Sequence, residues 1–148
     1  MDVGTAEAVE SAGPDARTAA LYARDATCRG LGITLDEVGT GRARMSMTVS
    51  AAMVNGHGTA HGGYLFLLAD AAFSYACNSY GPVTVAQAAQ VTFLAPAAAG
   101  DELTAEAVER ARSGRTGIYD VTVRDSAQKV IAEFRGQSVM LAGRPQAG

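Results

Sequence analysis

Asp70 is the one carboxylate in the run YLFLLADAAFSYAC, a stretch with helical spacing that is apolar on nearly every face. A buried carboxylate without a partner costs several kcal/mol and responds by raising its pKa or finding a hydrogen-bond network. Such a group is also a candidate general base or nucleophile. Asp70, Ser74 and Asn78 recur at i, i+4 and i+8 and form one stripe, which taken alone reads as a polar seam against solvent or a partner. His61-Gly62-Gly63 stands where this helix begins. Backbone N–H groups there have no intrahelical acceptor, and the positive end of the helix dipole favours a developing negative charge. Gly62 and Gly63 let a ligand approach that backbone closely. An oxyanion site beside an inward carboxylate is the apparatus of acyl transfer.

One chain cannot assemble that apparatus. Gly62 and Asp70 are eight residues apart, roughly 12 Å along a helix axis, too far for both to meet one carbonyl. Two antiparallel copies related by a two-fold can set the helix start of one beside Asp70 of the other. The expected site is therefore shared between subunits.

The elements that must hold this helix follow from periodicity and turn residues. Residues 1–14 read as a loose tail ending at Gly13-Pro14, and Asp15 as the N-cap of a helix closed by Gly30 or Gly32. ITLDEV and RARMSMTVS form a hairpin through Gly39-Thr40-Gly41, with Ala43, Met45, Met47 and Val49 on one face. The apolar helix is expected from about Gly62 to Ser79. Four strands follow, VTVAQAAQVTFLA, ELTAEAVERA, TGIYDVTVRD and KVIAEFRGQSVML, with turns at Ala95-Pro96, Ser113-Gly114 and near Ser126-Ala127. Short connections make the sheet antiparallel, and a helix apolar nearly all round must be covered nearly all round. The expectation is an α+β domain over residues 15–142, one curved sheet around a central helix, with a C-terminal tail at 143–148.

Composition narrows the function. The 148 residues carry a net charge of −3 with no dense Lys/Arg run, which speaks against nucleic acid or an anionic membrane as partner. The N-terminus lacks the basic and apolar regions of a secretory signal, and no apolar run approaches a membrane span, so a cytoplasmic protein is expected. Cys28 and Cys77 are outside any CxxC spacing and read as reduced core residues. His57 and His61 are four apart but in a glycine-rich loop without a third ligand nearby, so no metal site is expected. The sequence has no G-x-S-x-G elbow, Walker loop or Rossmann fingerprint.

The pattern Asn55…His61-Gly62-Gly63…Leu68-Ala69-Asp70…Ala76-Cys77-Asn78-Ser79…Gly81 resembles the core motif of the phenylacetic-acid-type (PaaI-like) acyl-CoA thioesterases, which have the hotdog fold. The resemblance continues through VTFLAPAAAGDEL and GRTGIYDVTV and covers about residues 20 to 140. It implies Asp70 as general base or nucleophile and the Gly62 N–H as donor to the thioester carbonyl across a dimer interface. Asn55 would act near that carbonyl or orient water, and His61 would support the loop. It also implies no cofactor beyond the CoA of the substrate, an aryl- or fatty-acyl-CoA substrate, and dimers paired into a homotetramer.

Two positions depart from the motif. Ser74, one turn after Asp70, either holds the attacking water or is simply a tolerated small residue. Tyr64 is bulkier than expected beside Gly63 and would line or narrow the acyl pocket. Tyr22, Phe66, Phe73, Tyr75 and Phe93 are further wall candidates, most of them better suited to a core. CoA phosphates could meet Arg110, Arg112 and Arg115 near a turn, residues whose default place is solvated surface. Two rival readings keep the fold: a CoA-ester hydratase, which would favour an Asp–His pair, and a non-catalytic acyl-CoA sensor, which would not need Asp70.

Overall fold

The computed structural model describes residues 14–145; the expected N-terminal tail lies outside them except for Pro14. Helix α1 (Pro14–Ala23) starts on that proline, whose fixed φ and missing N–H suit a first helical position, so Asp15 lies inside the first turn rather than capping it. The single helix expected up to Gly30 or Gly32 is two. Asp25 breaks it: its Oδ1 accepts the Cys28 N–H at 3.0 Å and caps a second helix, α2 (Ala26–Leu31). Gly32 closes α2 at φ 72°, its N–H returned to the carbonyls of Arg29 and Cys28.

Strands β1 (Thr34–Gly39) and β2 (Arg42–Thr48) pair antiparallel through Thr40-Gly41. The alternation read from the sequence holds in β2 and just beyond it, with Ala43, Met45, Met47 and Val49 buried. The chain then runs along the central helix α3 (Gly62–Cys77), extended by a 3₁₀ turn at Asn78–Tyr80, to the opposite sheet edge. There it forms β3 (Pro82–Phe93), recrosses to β4 (Glu102–Ser113), and closes with β5 (Thr116–Arg124) and β6 (Val130–Pro145). Sheet order is β1-β2-β4-β5-β6-β3, antiparallel throughout. Because β6 pairs with β3 out to Pro82↔Pro145, the backbone at 143–145 is strand, where a tail was expected from 143.

All six strands touch α3, so the sheet curls around it. Small residues on β4 make this possible: Ala105 and Ala107 register against Val123 and Val121 on β5 and against Met45 and Ala43 on β2. Opposite them Leu65, Leu68, Ala69, Ala72, Phe73 and Ala76 of α3 are buried. The Phe73 ring packs edge-on to Tyr119, with centroids 5.6 Å apart, and rests on β6 at Gly136, where a Cβ would lie 2.7 Å from the ring. Among the described residues no helix is long and apolar enough to cross a membrane.

Candidate active site

The loop before α3 is organised by Asn55. Its Oδ1 accepts from the backbone of His57 at 2.9 Å and of Thr59 at 3.2 Å, and from the Thr59 hydroxyl at 3.3 Å. The Asn55 N–H donates to the Thr59 carbonyl at 2.7 Å. Asparagine suits this position because its amide oxygen copies a backbone acceptor. Its Nδ2 has no acceptor among the described residues, and the side chain is half-buried. His61 caps the helix through backbone alone: its N–H donates to Met53, its carbonyl accepts from Tyr64 at 3.0 Å, and its ring is exposed. The N–H groups of Gly62 and Gly63 have no acceptor among the described residues.

Most of α3 is buried, but one stripe is not. Gly63 is exposed, and Phe66, Leu67, Asp70 and Ser74 are half-buried along the side that the sheet leaves open. Asp70 has neither a hydrogen-bond donor nor an ion-pair partner among the described residues, and desolvation holds its pKa above the ordinary carboxylate range. No cation among the described residues compensates. Its charge is felt by two buried thiols, Cys28 on α2 and Cys77, both pushed up to about 12, chiefly by their own burial. Thiols so protonated are poor nucleophiles. The Ser74 hydroxyl, one turn on, also has no partner among the described residues.

Asn78 leaves the stripe. It is buried, its Nδ2 donates to the carbonyls of Ser74 at 2.8 Å and Thr84 at 2.9 Å, and its Oδ1 accepts from Thr84 N–H at 3.0 Å. A residue expected on the polar seam is thus a splice between the helix end and β3. The arginines divide likewise. Arg110 pairs with Asp120, which also takes Arg135; these cations hold its carboxyl down to about 2. Arg112 lies 3.6 Å over the Tyr80 ring, at the opposite end of the central helix from Gly62. Arg115 is exposed in the β4–β5 turn.

At the start of α3 lies an open cleft of about 420 Å³, lined by Thr59, Ala60, Gly62, Leu65 and the segment Phe93–Pro96. Phe93 seats its ring on Gly62, where a Cβ would come within 2.7 Å of Cζ. Of the aromatic wall candidates, Phe73 and Tyr75 are core, Phe66 stacks edge-on to Phe134, and Phe93 borders the cleft. Its neighbours Leu94, Ala95 and Pro96, read in the sequence as a strand end and a turn, line the cleft as well. A Phe-Leu pair at the end of an alternating strand, with a proline turn next, was the available signal.

Residues 57–132 match the thioesterase superfamily. Over 124 residues, 84% of this chain and 89% of the relative, the sequence is 48% identical to the acyl-coenzyme A thioesterase PaaI of Escherichia coli. The structure of E. coli PaaI, from the phenylacetic acid degradation operon, superposes with a TM-score of 0.87 at 45% identity, covering 88% of this chain and 95% of that one. A variant of phenylacetic acid degradation protein PaaI from Thermus thermophilus gives 0.76 at 38% identity, covering 79% and 100%. Similarity of that extent, across nearly the whole of each relative, makes this chain a hotdog-fold thioesterase of the PaaI-like branch of the superfamily.

Proposed function

We propose that this thioesterase hydrolyses the CoA thioester of an aryl or medium-length acid to the free acid and CoA. The observation that carries the reading is Asp70: a carboxylate on the open stripe of a buried helix, desolvated and without a partner among the described residues. Its raised pKa suits proton abstraction better than the ordinary value of about 3.9. As general base it takes a proton from water while the hydroxyl adds to the thioester carbonyl. The oxyanion accepts from the Gly62 N–H of a second copy, and collapse expels the thiolate of CoA, which recovers the proton. As nucleophile it adds to the carbonyl and expels the thiolate of CoA, and water then cleaves the resulting mixed anhydride to the free acid and Asp70, its spare proton going to the thiolate. Oxygen-18 label from water appears in Asp70 after a single turnover only by the second route.

Supporting roles follow from the groups left open around it. Asn55 offers Nδ2 near the helix start, His61 and Gly63 border the carbonyl, Ser74 places water beside Asp70, and Tyr64 meets the substrate at the rim. Arg115, exposed, and Arg112, half committed to Tyr80 and Glu109, are assigned to the CoA phosphates. No cofactor takes part; CoA enters as substrate. A second copy is supported by β3, a 12-residue edge strand without a charged side chain that, among the described residues, is bonded along one side only. Such an edge invites pairing. Dimerisation there, and a second contact giving a tetramer, is read by sedimentation.

The deciding measurement is free-thiol release from arylacetyl-, benzoyl-, short and long aliphatic-CoA by wild type and Asp70→Ala. Activity lost in a folded variant supports the mechanism, and activity retained sinks it. CoA esters bound but never cleaved would favour a sensor. Hydration of an enoyl-CoA without thiol release would favour a hydratase.

A further inference from the structure

The cleft at the start of α3 has walls with almost no free hydrogen-bond donor. Ala60, Leu65, Phe93, Leu94, Ala95 and Pro96 present no polar side-chain atom, and the Thr59 hydroxyl is engaged with Asn55. The backbone donors around it are engaged too. Thr59 N–H goes to Asn55 Oδ1, Ala60 N–H to the Ala97 carbonyl at 2.8 Å, and those of Leu94 and Ala95 both to Ile131 at 2.8 and 3.2 Å. Pro96 has none. The Gly62 N–H is the donor left at this rim among the described residues. One donor beside an apolar recess matches one carbonyl with an apolar tail. A pantetheine arm fits less well, because its two amide carbonyls would compete for that one donor.

We propose that the cleft between the first turn of α3 and the Phe93–Pro96 segment is the acyl pocket, and that Phe93 sets which acyl groups fit. This rests on the thioesterase reading in which Gly62 holds the carbonyl. At about 420 Å³ the cleft is in the usual range of small-ligand pockets, about 300–1,000 Å³. Its walls are held in place by the bonds just given and by the Thr59↔Ala98 bridge, so size selection is built in before substrate arrives. Phe93 is the adjustable part. It is 51% exposed in the single chain, and it keeps its seat on the helix because residue 62 lacks a Cβ. Glycine there does two things: it leaves the N–H open, and it lets an aromatic ring form the pocket's near wall.

The test is the kcat/KM profile of wild type, Phe93→Ala and Ala95→Leu across acetyl-, butyryl-, hexanoyl-, octanoyl-, benzoyl- and phenylacetyl-CoA, with free CoA as competitive inhibitor. Phe93→Ala is expected to favour the bulkiest acyl groups over acetyl by about tenfold relative to wild type, in the range known for hydrophobic-pocket discrimination. Ala95→Leu, which fills the recess, is expected to shift the profile the other way, with inhibition by CoA unchanged in both. If instead both variants shift all esters equally and weaken CoA inhibition, the cleft holds the pantetheine arm and the proposal fails. If the wild type cleaves none of these esters, the thioesterase reading fails first. If it cleaves them with an acyl profile insensitive to both changes, only the pocket assignment falls.

Discussion

The two ends of the central helix are built on opposite terms. At the C-terminal end nearly every polar group has a partner. Asn78 is bonded at both its amide atoms, and the Ser79 hydroxyl accepts from Gly41 N–H at 2.8 Å and donates to Ala76. Arg17 Nη2 reaches the Ser79 carbonyl, and Glu109 receives the hydroxyls of Tyr80 at 2.6 Å and Tyr119 at 3.3 Å. At the N-terminal end and along the open stripe, Gly62 N–H, Asn55 Nδ2, Ser74 Oγ and both Asp70 oxygens have none among the described residues. Buried polar groups in a finished core are satisfied. The contrast therefore separates the end that anchors the helix from the end whose polar groups are left open, where the proposed site lies. It also says that stability and activity should come apart on substitution.

Asp70→Asn carries the largest expected effect. Turnover should fall by roughly 10³-fold, the scale of a lost general base. Stability should move in the opposite direction. The folded-state pKa is raised, so the native chain binds a proton more tightly than the unfolded one. This group's contribution to stability therefore falls as pH rises from about 3.9 through its folded pKa, and the deficit persists above it. The asparagine variant should melt higher than wild type near neutrality, with the two curves converging in acid. A lower melting temperature at pH 7 would mean that the carboxylate has a partner, and the contrast between the ends would fail.

Asn78→Ala tests the anchored end. The bonds of both amide atoms go, and the buried Thr84 N–H loses its acceptor, for a loss of about 2–3 kcal/mol in denaturant unfolding. The kcat of the folded fraction should remain within about threefold, since this end only supports the helix. Glu109→Ala should cost less, about 1–2 kcal/mol, because the Tyr80 hydroxyl, on a half-exposed side chain, can turn to water. Arg115→Ala should have the smallest effect, about a two- to threefold rise in KM for CoA esters with kcat unchanged; an unmoved KM removes it from the phosphate contact.

Much of this was legible in the residues. The alternation Ala43, Met45, Met47, Val49 and that of β5 specify strand faces, because a period of two leaves no choice of which side is buried. The apolar run specifies a covered helix, and the lone Asp70 within it points to the stripe that the sheet leaves open. Asn78 shows the limit. Its spacing from Asp70 is a fact of the helix, but whether it faces substrate or splices to Thr84 depends on where β3 turns back. Asp25 shows another: a local cap outcompeted a helical pattern that ran through it.

The sequence by itself determined most of the elements, the apolar helix with its one carboxylate, and the separation of Gly62 from Asp70, since helical rise alone keeps them apart. Only the tertiary structure decided strand order, which end of the helix is anchored, and that Phe93 sits on Gly62. Those are contacts between segments far apart in the chain, and spacing within one segment carries no information about them.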